Sequence, residues 1–176
     1  MSSQMNTNDS GEKSEFADNL NIFRQIDFFS QISIDGMKLF ALLCKRQFYE
    51  AGDYIFHQGD DDGCSYYLLS GKAKLVLKND DQEYFIREYK QENYFGVLSL
   101  MTPMIKHFSL VATQDTNCMV MTRDAFSKVV DQFPDIPFKI MKSIGQSVSQ
   151  AERKCIIAFE SKKQDDFLNI LGISLI

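Results

Sequence analysis

The spacing of apolar residues differs between three parts of the chain, and in the middle part it has a period of two. Ala73, Leu75 and Leu77 alternate with lysines, as in a strand with one packed and one solvated face. Glycines separate several short runs of this kind, which is typical of antiparallel strands joined by tight turns. We therefore predict strands at 48–50, 54–57, 65–69, 73–78, 84–89, 109–113 and 118–122.

Helical spacing is found on both sides of these strands. Apolar residues every three or four positions over 16–26 predict a first helix, and Ser33 is predicted to cap a second. Downstream, Asp124 is predicted to cap a third helix that ends at Pro134. A longer helix is predicted over 135–160, with an apolar stripe formed by Ile136, Ile140, Ile144, Val148, Ala151, Cys155 and Phe159.

These elements predict an α+β fold, in which an antiparallel β jelly-roll is flanked by N-terminal helices and a long C-terminal helix. A chain of 176 residues with 44% hydrophobic content can bury one good core, so we predict one domain with appendages. The predicted segments are a disordered N-terminus at 1–14, N-terminal helices at 15–46, the β-roll at 47–122, C-terminal helices at 123–161 and an apolar helical tail at 162–176.

Composition narrows the classes of function. The net charge of −5 argues against nucleic acid as a partner, and no apolar run is long enough to span a membrane. The four cysteines are far apart, which favours reduced thiols in a cytoplasmic protein over a disulfide or a metal site. Because no nucleophile elbow, P-loop or zinc motif is present, we predict no enzyme activity and no cofactor.

Three segments resemble a known family. They are YEAGDYIFHQGD at 49–60, GDDDGCSYYLLSG at 59–71 and FGVL at 95–98. They resemble the cyclic-nucleotide-binding domain found in the catabolite activator protein, kinase regulatory subunits and nucleotide-gated channels, and the resemblance covers residues 27–160. It implies a jelly-roll fold with a phosphate-binding cassette at FGVL.

The resemblance also indicates where a ligand would bind and which contacts are missing. The family motif reads F-G-E-L, with its Glu on the ribose hydroxyl, and Val97 stands there in this chain. The family's phosphate-binding Arg corresponds to Lys106 or His107, depending on the loop register. Backbone amides near Leu98 and Ser99, assisted by Lys106, remain as anion donors; otherwise Lys106 is a solvated loop charge. The candidate ligand-binding residues are Phe95, Gly96, Val97, Leu98, Ser99, Lys106, His107 and Ser109.

Two functions follow from this pattern. The first is a regulatory or sensor protein with a degenerate phosphate-binding cassette, in which a weakly bound cyclic nucleotide shifts the long C-terminal helix. The alternative is a ligand-independent scaffold or interaction subunit of a larger assembly; a third possibility is a pocket for another anionic small molecule. The predicted partners are other protein subunits, bound through the helices and tail at 135–176, or a second copy in a homodimer.

Overall fold

The structure, a computed structural model, describes residues 7–80 and 82–160. Two helices precede the strands and two follow them. The helices are α1 Thr7–Phe23, α2 Ile34–Leu43, α3 Arg123–Gln132 and α4 Ile136–Glu160. The strands are β1 Lys45–Tyr49, β2 Tyr54–Phe56, β3 Cys64–Ser70, β4 Lys72–Asn79, β5 Gln82–Lys90, β6 Tyr94–Phe95, β7 Ser109–Ala112 and β8 Thr116–Thr122. Two 3₁₀ turns, Asp27–Phe29 and Val97–Leu100, complete the set, and we call the second the cassette turn.

The strands form two four-stranded antiparallel sheets, ordered β1-β8-β3-β6 and β2-β7-β4-β5. This arrangement confirms the predicted α+β fold with an antiparallel jelly-roll flanked by helices. Neighbouring strands in each sheet are mostly distant in sequence, as β1 with β8 and β2 with β7. The chain therefore crosses repeatedly between the sheets and closes them into a roll.

The central strands of the first sheet, β3 and β8, are buried on both faces, because successive side chains of a strand point in opposite directions. In β3, Tyr66 and Leu68 pack into a cluster with residues of the second sheet. Tyr67, between them, packs into a cluster with the helices, and in β8 Cys118 and Met119 divide in the same way. The core thus has two layers, one between the sheets and one between the first sheet and the helices.

Phenylalanines dominate the helical layer. Phe23 of α1, Phe29 of the first 3₁₀ turn and Phe40 of α2 are fully buried, with ring centroids 4.9–5.7 Å apart. The first part of α4 closes this layer through its buried isoleucines, of which Ile144 is the last. Val148, one turn later, is 37% exposed, so the predicted stripe of α4 is core only in its first half.

The phase of the alternation in β4 differs from the predicted one. Ala73 and Leu75 face the core as expected, but the register with β5 shifts between Leu75 and Val76. This β-bulge turns Val76 inward, where it is 2% exposed, and leaves Leu77 only half-buried. The simple alternation through Leu77 is therefore wrong.

Several boundaries also need correction. α1 begins at Thr7, so residues 7–14, where the sequence predicts disorder, are helical. Extending a packed helix costs far less than starting one, which explains how polar residues are included. The cap of α3 is Thr122, whose hydroxyl accepts from the Ala125 amide, while Asp124 lies in the first turn. The short β6 is not predicted at all, and the tail at 162–176 lies outside the described residues.

Candidate functional site

The cassette turn begins at a residue that has to be glycine. Gly96 follows β6 and has φ +80°, in the left-handed region. A Cβ at this position would lie 2.6 Å from the Cys64 carbonyl oxygen and 2.9 Å from Lys106 Nζ. The backbone of Gly96 is therefore in direct contact with both β3 and the lysine side chain, and no larger residue fits.

The Lys106 ammonium occupies the space over the cassette turn. Its side chain is 1% exposed. Nζ donates to Ser99 Oγ at 2.8 Å and to the Cys64 carbonyl oxygen at 3.1 Å, and lies 3.3 Å from Asp62 Oδ1. The ring of Phe56 is 5.0 Å away. Two of its N–H groups therefore have oxygen acceptors, and the Asp62 carboxylate supplies the counter-charge.

Backbone hydrogen bonds fix which residue enters the site. The Lys106 amide donates to the Asp60 carbonyl at 2.9 Å, and the Lys106 carbonyl accepts from the Gly59 amide at 2.8 Å. This pairing turns the Lys106 side chain inward and leaves His107 exposed. The structure therefore brings Lys106, not His107, to the cassette, and a solvated Lys106 is wrong.

Asp62 is the ion-pair partner of Lys106, a role that the sequence pattern did not predict. Its carboxylate accepts from the Cys64 amide and from the Tyr66 hydroxyl, both at 2.9 Å, in addition to facing Lys106. Burial, and then the charge of Asp62, raise the pKa of Tyr66 well above its usual range, so the hydroxyl remains a donor. The run of three aspartates at 60–62 was the available signal, but such runs are usually solvated.

A second ion pair joins the cassette turn to α3. Arg123 donates from Nε to the Ser99 carbonyl at 2.8 Å and from Nη2 to the Thr102 carbonyl at 3.1 Å. Its guanidinium also pairs with Asp61, and this hydrogen bond lowers the pKa of the Asp61 carboxyl. The start of α3 is thereby tied to the cassette turn and to the loop before β3.

The other predicted site residues are used elsewhere. Val97 is fully buried in the helical layer, and Phe95 is buried between the sheets. The Ser99 amide donates to the Gly96 carbonyl at 3.0 Å, so it is not available to an anion. Ser109 Oγ accepts from the Gln58 amide at 2.8 Å. Of the predicted set, Gly96, Ser99 and Lys106 come together, with Leu98 half-buried beside them.

The charges around the cassette turn are balanced within the chain. Lys106 and Arg123 face Asp62 and Asp61 respectively. A bound phosphate would meet a lysine that already donates to two oxygens and a carboxylate 3.3 Å from that ammonium. Among the described residues, no group of His, Cys, Asp and Glu is placed to hold a metal ion. No helix in those residues is long and apolar enough to cross a membrane.

Comparison with known proteins agrees with this geometry. The family model for the cyclic nucleotide-binding domain matches residues 46–133, half of the chain. The chain belongs to the cyclic-nucleotide-binding domain family. The match takes in the whole β-roll, the cassette turn and α3 of this domain.

Individual relatives of the domain are distant. It is 24% identical to human cGMP-dependent protein kinase 2 over 119 residues, which are 66% of this chain but 16% of the kinase. The regulatory domain of Toxoplasma gondii PKA, solved with cAMP, superposes with a TM-score of 0.65 at 14% identity, covering 78% of this chain and 52% of that one.

A further solved relative is described as cAMP-independent. The regulatory subunit of a cAMP-independent protein kinase A from Trypanosoma brucei superposes with a TM-score of 0.61 at 19% identity, covering 77% of this chain and 49% of that one. At these identities the two structures establish the fold of the domain.

Proposed function

We propose that this domain is a regulatory module that works without a cyclic nucleotide, because its own Lys106 ammonium occupies the cassette. The observation that carries the proposal is a buried ammonium that donates to Ser99 and to the Cys64 carbonyl and forms an ion pair with Asp62. In this proposal the Lys106 side chain takes the place of a bound ligand. It joins the cassette turn, β3 and the loop before β3 in the absence of any small molecule.

A cyclic phosphate would compete poorly with this arrangement. It would have to displace Asp62 from Lys106 or approach that carboxylate closely, and like charges in a desolvated site repel each other strongly. Lysine also lacks the planar fork with which arginine holds a phosphate. Val97 offers no acceptor to a ribose and lies inside the helical layer. Together these losses are worth roughly three to five powers of ten in affinity.

Helices α3 and α4 connect the cassette turn to the surface that we propose for partner binding. Arg123, the first residue of α3, holds the Ser99 carbonyl, and α4 begins only four residues after α3 ends. We propose that α4 and the segment after it, over 135–176, carry the contacts with other protein subunits, with a homodimer as the alternative. The trypanosome neighbour supports the proposal, since it is the regulatory subunit of a cAMP-independent protein kinase A.

Two further assignments accompany this proposal. We infer a regulatory and not a catalytic role, in keeping with the match to a binding domain. We also place the protein in the cytoplasm, which the free thiols of Cys44, Cys64 and Cys118 support.

Calorimetric titration with cyclic AMP and cyclic GMP tests the proposal. We expect neither to bind the unmodified chain more tightly than roughly 100 μM. Asp62→Asn removes the competing carboxylate, so it should strengthen any residual binding, whereas Asp60→Asn makes the same charge change on an exposed neighbour and should not. A low-micromolar dissociation constant for the unmodified chain would refute the proposal and support a cyclic-nucleotide sensor.

A further inference from the structure

A cleft of about 460 Å³ lies where α4 meets the body of the domain. It opens between the Asp27–Phe29 turn, the turn that joins β5 to β6, strand β3 and α4. The residues that matter for its chemistry are Asp27, Tyr67, Glu92, Asn93, Tyr94 and Ser147. None of them belongs to the cassette turn or to the Lys106 and Arg123 ion pairs.

The polar groups of the cleft are mainly acceptors. Asp27 and Glu92 contribute carboxylates. Ser147 uses its proton to donate to the Ser143 carbonyl at 3.1 Å, which leaves oxygen lone pairs on its hydroxyl. Asn93 uses its NH₂ group to donate to the Lys90 carbonyl at 2.8 Å, so its amide oxygen remains as an acceptor. No lining residue in the described part of the chain is basic.

The turn that carries Glu92 is held firmly in place. The Glu92 amide donates to the Leu68 carbonyl, and the Leu68 amide donates to the Asn93 carbonyl, both at 2.9 Å. Glu92 has φ +71°, a left-handed conformation that a side-chain-bearing residue keeps only when its surroundings fix it. Burial is the main cause that raises the pKa of Tyr67, and the charge of Glu92 is the second. The Glu92 carboxylate therefore acts electrostatically on a ring that lines the cleft.

We propose that this cleft binds a small organic ammonium ion. Two carboxylates supply the opposite charge, the oxygens of Asn93 and Ser147 accept its N–H groups, and the rings of Tyr67 and Tyr94 line its apolar side. The volume lies within the range of small-molecule sites. For an anion the lining side chains offer the Gln25 amide and the Tyr67 hydroxyl as donors but no basic group, and the two carboxylates would repel it.

Occupancy of the cleft bears on the direction of α4. Ile144 is the last fully packed residue of the helix in this layer, and Ser147 follows it by three positions. A cation held between Ser147, Asp27 and Glu92 therefore connects the point where α4 leaves the body to two other elements. Ligand bound only in this geometry favours that geometry by its binding free energy.

Calorimetry of the full chain with 1,4-diaminobutane dihydrochloride, at constant ionic strength, tests the cleft. We expect saturable binding below roughly 1 mM, weakened about two- to fivefold by Asp27→Asn and by Glu92→Gln, with folding checked by circular dichroism. Asp131→Asn, an exposed carboxylate on α3, is the matched control and should leave binding unchanged. Absence of saturable binding, or equal weakening by the control, overturns the proposal.

Two further titrations test whether N–H groups of the ligand are recognised and whether the cleft is independent of the cassette. Tetramethylammonium carries charge without N–H donors, so it should bind at least several-fold more weakly; equal affinity would overturn the assigned role of the acceptors. Asp60→Asn, an exposed carboxylate in the loop beside the cassette, should leave diaminobutane binding intact, because the two sites share no residue. A cyclic-nucleotide titration can thus fail or succeed independently of this one.

Discussion

Replacing Lys106 by Met tests whether the ammonium holds the cassette together. Methionine keeps an unbranched side chain next to Phe56 and removes the donors to Ser99, Cys64 and Asp62. Removing one partner of a buried ion pair costs about 3–5 kcal/mol. Asp62 is 21% exposed and keeps its hydrogen bonds from Tyr66 and the Cys64 amide, so we expect a smaller loss, about 2–3 kcal/mol.

A double-mutant cycle isolates the ion pair from the rest of this cost. Asp62→Asn alone leaves the buried ammonium without its counter-charge, and Lys106→Met alone leaves the carboxylate. If the two charges stabilise each other, the double variant should be less destabilised than the sum of the single changes, by about 1–2 kcal/mol. The cycle therefore gives the strength of the contact directly.

Urea unfolding followed by far-UV circular dichroism is the suitable assay, because the chain contains no tryptophan. Lys38→Met is the control: it removes an ion pair with Asp35 in which both side chains are more than half exposed, and should change stability by less than about 0.5 kcal/mol. If Lys106→Met behaves like this control, or if the coupling to Asp62 is below about 0.5 kcal/mol, the ammonium does not fasten the cassette.

Three other measurements address separate features. Gly96→Ala should destabilise the domain by about 3 kcal/mol or more in urea, and Gly59→Ala, also at positive φ but with open space around it, by clearly less; equal losses would contradict the close contact. The pKa of Asp61 is lower in the folded than in the unfolded chain, so its ionised carboxylate stabilises the fold above the unfolded-state pKa, and this stabilisation is lost as the pH falls. Asp61→Asn should therefore flatten the decline of the melting temperature below roughly pH 4, and an unchanged profile would contradict the stabilising role of the Asp61–Arg123 pair. Burial raises the pKa of Cys44 to about 12, so its alkylation at about pH 8, followed by peptide mass spectrometry, should be at least ~100-fold slower in native than in unfolded protein, whereas comparable rates would contradict its burial.

The sequence was sufficient for the elements that are encoded locally. The alternation in β4 and the three-to-four-residue spacing before Ile144 reflect packing against a single face, and both are visible in a short window. The bulge at Val76 was not visible, because it depends on the register with β5. The two-residue strand β6 is equally hidden, since only its pairing with β3 defines it.

The position of the Lys106 side chain depends on residues far apart in the chain. Its acceptors come from Asp62 and Cys64 on one side and from Ser99 on the other. A lysine in a loop is ordinarily solvated, and nothing within a few residues of it indicates burial. The family resemblance narrowed the phosphate position to two residues, and the backbone pairing with Gly59 and Asp60 selects one of them.

The partial burial of α4 has a mechanical consequence. From Val148 onward most of the described side chains of this helix are exposed, so its second half projects from its last anchor. The fourteen residues from Ser147 to Glu160 form a helical arm about 20 Å long, and a pivot of about 10° at its base moves its end by about 3.5 Å. Displacements too small to disturb the packed layers are thereby amplified to the size of a side-chain contact at the far end of the arm.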